Sequence, residues 1–133
     1  MRIPLANIKI VTDSSIHLEP DDAVQLGITV VPNQVRLGRK TYREGIDLTQ
    51  QEFFRKVARL SSLPVLKTAS PQWMREQYVR LSSQTDAILA IHTSRYLASA
   101  YVAAKEAAET LRGRLRIEVL DSQSISFGLG VLV

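Results

Sequence analysis

The chain is predicted to be an α/β domain, a mainly parallel sheet flanked by helices, with a small β-hairpin. Two observations predict this class. First, three hydrophobic, strand-like runs each end in hydroxyls. Ile8-Lys9-Ile10-Val11 enters Thr12-Asp13-Ser14-Ser15, Ala87-Ile88-Leu89-Ala90-Ile91 enters His92-Thr93-Ser94, and Ile117-Glu118-Val119-Leu120 enters Asp121-Ser122. Second, stretches with helical period alternate with these runs, which is the order that builds a parallel sheet. Parallel strands place all three clusters along one edge, where α/β proteins bind ligands. A row of Ser and Thr with little to activate it suits holding a polar headgroup more than breaking a bond.

The first strand runs from about Ile8 to Val11. Pro20 opens a short helix, as Pro does at a first helical position, and Gly27 ends it. Ile28 to Pro32 is a second strand, limited by its proline. Val35 to Leu37 and Lys40 to Tyr42 flank Gly38-Arg39 as a hairpin. Thr49-Gln50-Gln51-Glu52 has capping-box spacing, and Phe53, Val57 and Leu60, with Phe54, form an apolar stripe after it. Pro64 ends that region. Ser70-Pro71 caps and opens a helix whose Met74, Tyr78 and Leu81 share one face. After the strand Ala87 to Ile91, an Ala-rich helix from about Leu97 to Leu111 puts Leu97, Tyr101, Ala104, Ala108 and Leu111 on one side. Gly113 stops it. A strand from Arg116 to Leu120 follows, then a last helix beginning near Ser124.

The 133 residues are 45% hydrophobic, enough for one core and one domain. No apolar run approaches the roughly 18 residues of a membrane span. Met1 to Ala6 lacks the apolar centre of a signal peptide, and the absence of cysteine excludes disulfides and thiolate metal sites. A cytoplasmic protein is the expectation. The net charge of +4 is local, carried by Arg36, Arg39, Lys40 and Arg43 and by Arg112, Arg114 and Arg116. Aromatics do not interleave with these bases, so nucleic acid is not an expected partner.

Several chemistries are absent. There is no Gly-x-Ser-x-Gly elbow and no phosphate-binding Gly-x-x-x-x-Gly-Lys-Ser/Thr loop. Gly128-Leu129-Gly130 is too short for a dinucleotide fingerprint. Asp13 follows a strand as a phosphoryl-transfer nucleophile would, but Ser15 stands where a second carboxylate would help hold a metal. Asp13 is instead expected to cap its turn through backbone amides. His17 is read as an exposed loop residue. His92 is read as structural, its ring diverging from Thr93 because adjacent strand residues face opposite ways. No catalytic residue, metal or cofactor is assigned.

Thr68-Ala69-Ser70-Pro71 is a fourth hydroxyl site. Ser70 fits a helix N-cap, and helix N-termini attract anions through free N–H groups and the helix dipole. Ser70 caps while Thr68 faces a ligand. Ser94-Arg95-Tyr96 is a similar turn before the Leu97 helix. Two such turns facing one crevice suit a carboxylate, since hydrogen bonds to a charged acceptor are the stronger ones.

These residues resemble the DegV family of bacterial fatty-acid-binding proteins, from about Ile8 to Val133. Val11-Thr12-Asp13-Ser14-Ser15 resembles its opening signature, and Gly27-Ile28-Thr29-Val30-Val31-Pro32 the second. Gly38 to Asp47 resembles Gly-x-x-x-Tyr-x-Asp-Gly-x-Asp, with Glu44 for Asp. Glu52-Phe53-Phe54 then follows in order. Thr68-Ala69-Ser70-Pro71 is similar to Thr-Ser-Gln-Pro. Ser94 to Tyr101 aligns with Ser-Ser-x-Leu-Ser-Gly-Thr-Tyr, with Arg95 replacing the second Ser and Ala98-Ser99-Ala100 replacing Ser-Gly-Thr. Asp121-Ser122 through Ser126-x-Gly128-x-Gly130 is similar to the closing motif.

The resemblance implies a binder, not an enzyme. It implies a long-chain fatty acid whose carboxylate meets Thr68 and Ser94, together with groups from a second domain, and in some members presentation of the acyl group to a fatty acid kinase. Arg95 joins the ligand-binding set, where its backbone N–H persists and its charge favours an anion. Asp13, Ser14, Ser70, Thr93, Asp121 and Ser122 are its expected supports. Residues 1–133 then correspond to the family's N-terminal domain, the second domain lying outside this chain. The apolar stretch Phe127 to Val133 is expected to be exposed and to drive self-association. Two rivals stay open: an interaction or regulatory module without its own ligand, and a phosphoryl- or acyl-transfer enzyme using the hydroxyl-rich edge.

Overall fold

The computed structural model describes residues 7–16 and 18–133. The readings of His17 and of Met1 to Ala6 lie outside the described residues. The central sheet has the order β2-β1-β6-β7, from β1 (Ile8–Asp13), β2 (Ile28–Val31), β6 (Ala87–His92) and β7 (Arg116–Asp121). Every pairing in it is parallel, with Asp13 opposite Val31 and His92 opposite Asp121. The three hydroxyl-ended strands therefore share one carboxyl edge, as expected.

Alternation along the strands sorts two cores onto the two faces. On one face, Val11, Val31, Ile88 and Ala90 pack with Met74, Tyr78 and Leu81 of α3 (Pro71–Leu81). The small side chains Ala100, Ala103, Ala104 and Ala107 of α4 (Ala100–Glu109), with Leu111 beyond it, complete this core. Alanines let α4 lie close to the sheet, while Met74, fully buried, contributes roughly 1.5–3 kcal/mol of transfer free energy; Tyr78 is fully buried as well. On the other face, Ile16 and Ile91 enclose Leu129 of α5 (Phe127–Leu132), with Val30 and Leu89 beside them. The expected apolar tail is thus divided: Leu129 is buried, whereas Phe127, Val131 and Leu132 are exposed.

The hairpin of β3 (Gln34–Leu37) and β4 (Lys40–Arg43) turns at Gly38, whose φ of +61° favours glycine. It forms a second, antiparallel sheet of order β4-β3-β5 with β5 (Val65–Lys67). This last strand is not evident in the sequence, being three residues long and directly after Pro64. Helix α2 (Gln50–Val57) covers one face of this sheet, with Phe53, Val57 and Leu60 against Val35, Leu37 and Leu48. Its capping box is formed in both directions, Thr49 Oγ1 accepting from Glu52 N and Glu52 Oε2 accepting from Thr49 N. Phe54 departs from the expected stripe and is 61% exposed; one residue past Phe53, it turns about 100° away from the sheet.

Helix α1 (Pro20–Gln25) begins at Pro20 and is followed by Gly27 at φ +70°. Three other boundaries differ from expectation. β1 continues through Asp13 because Thr12 and Asp13 pair with Val30 and Val31. α4 starts at Ala100, not Leu97, since the amides of Leu97 and Ala98 both donate to the Ser94 carbonyl and close a separate turn. Leu97 is consequently 64% exposed. α5 starts at Phe127, not Ser124, because Ser126 sits at φ +59°, outside the helical region.

Candidate functional site

The carboxyl edge is organised around Asp13. Its Oδ2 accepts from His92 Nδ1 at 3.0 Å and from the Thr93 amide at 2.9 Å. Its Oδ1 accepts from Thr93 Oγ1 at 2.8 Å and from the Ser15 amide at 3.1 Å. All three side chains are fully buried. Burial pushes the Asp13 carboxyl up, but the hydrogen bonds from His92 and Thr93 and the attraction of the imidazole outweigh it. The carboxyl is held well below the usual carboxylate range. A carboxylate only accepts, so His92 Nδ1 carries the proton in this pair. The expected amide cap is present at Ser15. The expected divergence of His92 and Thr93 is not found: β6 ends at His92, and the turn brings both residues onto one carboxylate.

A second polar layer joins this edge to the small sheet. Ser14 Oγ donates to Glu44 Oε2 at 2.7 Å and accepts from the Asn33 amide at 2.8 Å. Asn33 Nδ2 donates to Ser15 Oγ at 3.1 Å and to Glu44 Oε2 at 3.4 Å. Asn33 is fully buried and was not identifiable from local pattern. Its one sequence signal is its place directly after Pro32 at a strand end. Ser14 is therefore a tether between the two sheets.

At the far side, Ser122 to Ser126 crosses the edge. Ser124 O accepts from Ser94 N at 2.9 Å, Ser15 O accepts from Ser126 N at 3.0 Å, and Ser122 Oγ accepts from Ser124 N at 3.1 Å. Gly128 lies close beneath this crossing: a Cβ there would overlap Ser124 Oγ, and that hydroxyl would have to turn away. Asp121 Oδ1 accepts from the amides of Gln123 at 3.0 Å and Arg95 at 3.3 Å, and Arg95 Nε lies 3.4 Å from Asp121 Oδ2. The Arg95 amide is thus engaged by Asp121. Its guanidinium also stacks over Tyr96, 5.2 Å from the ring centre.

The remaining pair joins two helix starts. Ser70 caps α3, its Oγ accepting from Trp73 N at 3.2 Å. Thr68 Oγ1 lies 2.5 Å from the hydroxyl of Ser99, the N-cap residue of α4. With α4 starting later, the hydroxyl paired with Thr68 is that of Ser99, while Ser94 Oγ accepts from Tyr96 N at 3.4 Å and is nearly buried. Ser99 makes no capping bond of its own, so the first amides of α4 are left without a side-chain acceptor from their N-cap. Tyr96 and Leu97, in the turn before Ser99, are exposed.

A parallel sheet covered on both faces, with hydroxyls and two helix N-termini at its carboxyl edge, defines an α/β domain of the class in which ligands are met at that edge. The chain belongs to the DegV family: the family model, described as an uncharacterised protein of the DegV family, matches residues 7–133. A DegV domain-containing protein of Deinococcus radiodurans is 30% identical over 127 residues, covering 96% of this chain and 44% of that protein. The structure described as fatty acid binding of a DegV family protein from Thermus thermophilus superposes with a TM-score of 0.87 at 32% identity, over 95% of this chain and 44% of the other. DegV of Bacillus subtilis, described as a fatty acid binding protein, superposes with a TM-score of 0.89 at 26% identity over the same shares. The chain thus spans somewhat under half the length of these relatives. No helix among the described residues is long and apolar enough to cross a membrane.

Proposed function

We propose that this domain binds the carboxylate end of a long-chain fatty acid at its carboxyl edge and acts as a binder, not an enzyme. The observation that carries this reading is the Thr68–Ser99 hydroxyl contact at the joined starts of α3 and α4. Both hydroxyls rotate freely enough to donate to an incoming carboxylate, which is also favoured by the helix N-termini. Ser94 and Arg95 complete the proposed ligand set from the next turn. Asp13, Thr93, Ser14, Ser70, Asp121 and Ser122 hold that turn and its neighbours in place through the bonds described above. The fatty acid descriptions of the Thermus and Bacillus proteins support the ligand class.

The acyl chain in this reading passes over the exposed Tyr96, Leu97 and Phe127, against a second domain of the kind the longer relatives have room for, or against another copy of this chain. Cytoplasmic residence and delivery of the acyl group to a fatty acid kinase belong to the same proposal. Titration of a long-chain fatty acid into the purified chain, alongside Thr68→Val, tests it. Saturable binding weakened by the substitution supports the site. A rival transfer activity would be revealed by turnover of an acyl or phosphoryl donor by the purified protein alone.

A further inference from the structure

The small sheet and α2 carry a surface that the carboxyl edge does not use. Residues 34–67 hold eight Lys and Arg against three acids, a net charge of +5, while the rest of the chain has nine against ten, a net of −1. All eight cations are exposed. Within this segment the described ion pairs include only Arg43–Asp47, at 2.8 Å; Glu52, bonded to Thr49 in the capping box, is exposed beside Arg55 and Lys56 with no described ion pair to either. The basic charge of the protein is therefore concentrated on one small unit and mostly unneutralised there.

Large apolar side chains stand out from the same unit. Leu63, in the loop before Pro64, is 88% exposed, and Phe54 and Leu66 are 61% and 51% exposed. Their positions converge. Lys56 lies over the ring of Tyr42 on β4, 5.5 Å from its centre, and Phe54 is on the opposite flank of α2 at 100° per residue. Leu66 pairs with Val35, so it stands on the α2-covered face of the opposite edge strand, β5. Phe54 and Leu66 thus share the β5 flank, with Leu63 leading into it. Arg55 is on the outer face of α2 and Arg59 in the turn directly after it, while Lys67, next to Leu66 on β5, faces the other side of the small sheet.

We propose that this flank is a docking surface for an anionic lipid bilayer. Phe54, Leu63 and Leu66 enter the boundary between headgroups and acyl chains, while Arg55 and Arg59 meet lipid phosphates. This is the composition of interfacial membrane binders: apolar side chains on a basic, polar surface. A protein partner is a poorer fit, because protein interfaces are depleted of charge at their centre and this small unit carries a net charge of +5. Nucleic acid is poorer still, since Phe54 alone offers a stacking ring on this flank. The inference does not rest on the fatty-acid reading, although a membrane is where a lipid carboxylate would be met.

The test is flotation of the intact chain with vesicles of phosphatidylcholine containing phosphatidylglycerol, compared with vesicles of phosphatidylcholine alone. The protein should partition onto the anionic vesicles and be released by salt. Arg59→Gln should lower the partition coefficient roughly fivefold, the effect of one cation near an anionic surface. Leu63→Ser and Phe54→Ser should each lower it further; Leu63→Ser should leave the thermal melt unchanged because its side chain is 88% exposed, whereas Phe54→Ser also gives up an edge-to-face contact with Phe53. Arg114→Gln, which removes the same charge outside this unit, should have much less effect. Equal partition onto neutral and anionic vesicles would overturn the proposal. So would binding that follows charge but ignores Leu63 and Phe54, the pattern of an acidic macromolecule. A concentration-dependent dimer abolished by Leu63→Ser would assign the flank to a second copy instead. Native mass spectrometry of Leu63→Ser reads fatty-acid retention separately, so failure here and failure of the headgroup site are distinguishable.

Discussion

The hydroxyls of Thr68 and Ser99, 31 residues apart, meet at 2.5 Å and join the starts of α3 and α4. A hydroxyl pair of this kind has lone pairs and protons free to reorganise when a carboxylate arrives. In fatty-acid titrations followed by calorimetry, Thr68→Val and Ser99→Ala should each weaken binding about ten- to a hundredfold, the range for one lost hydrogen bond to a charged group. Ser94→Ala should do the same if its hydroxyl turns from the Tyr96 amide to the ligand. Unchanged affinity in Thr68→Val would place the carboxylate elsewhere.

Asp13 should govern stability instead of affinity. Asp13→Asn puts an amide where Oδ2 now accepts from both His92 Nδ1 and the Thr93 amide. Loss of a buried, charged acceptor of this kind costs about 3 kcal/mol or more, read as a lower midpoint in urea. Abolished ligand binding in a still-folded Asp13→Asn protein would contradict this assignment.

The same carboxylate predicts a pH dependence. Its folded-state pKa is depressed, so the folded state binds fewer protons than the unfolded chain, whose Asp titrates near ~3.9. Stability from this group is present above that pH and is lost as pH falls below it toward the folded value. Urea midpoints of the wild type should fall from about pH 4 downward, and those of Asp13→Asn should fall less steeply over the same window.

How far these features are legible in the sequence depends on how local their causes are. The Thr49–Glu52 capping box, the Gly38 hairpin and the Ser70-Pro71 helix start each depend on a few adjacent residues, and all three form as read. The shared edge of Ser14, Thr93 and Ser122 follows from strand order, which alternation with helices predicts. Asn33 and Glu44 join Ser14 from 19 and 30 residues away, and no periodicity marks such a meeting. His92 and Thr93 were misjudged because two-residue alternation holds only while the strand continues, and β6 stops at His92. Ser99 was hidden by placing the helix start at Leu97.

Arg95→Ser separates an anchoring role from a ligand role. Its side chain is half exposed and engaged by Asp121 and Tyr96, so its loss should cost no more than about 1 kcal/mol of stability. Affinity for a fatty acid should change less than that caused by Thr68→Val. A larger loss of affinity in a stable protein would mean that the guanidinium turns to hold the carboxylate.

Gly128→Ala tests the crossing over the carboxyl edge. The added methyl would overlap Ser124 Oγ, so that hydroxyl must turn to another rotamer, at a cost of about 1 kcal/mol or less. In a Ser124→Ala background the obstacle is gone, and Ala in a helix is favoured over Gly by about 0.8–1 kcal/mol. The double-mutant cycle should therefore show coupling no larger than the cost of that rotation. Larger coupling would mean that the Ser124 hydroxyl cannot turn away.

Native mass spectrometry of the intact chain, gently purified from bacteria, tests the headgroup site most directly, because it reports bound lipid and oligomeric state together. The expected result is an adduct with the mass of a long-chain fatty acid on the wild type, strongly reduced in Thr68→Val and Ser99→Ala and retained in Leu63→Ser. Wild-type protein that is folded and free of fatty acid even after incubation with it, or an adduct that persists undiminished in Thr68→Val and Ser99→Ala, would contradict a carboxylate site at the joined helix starts.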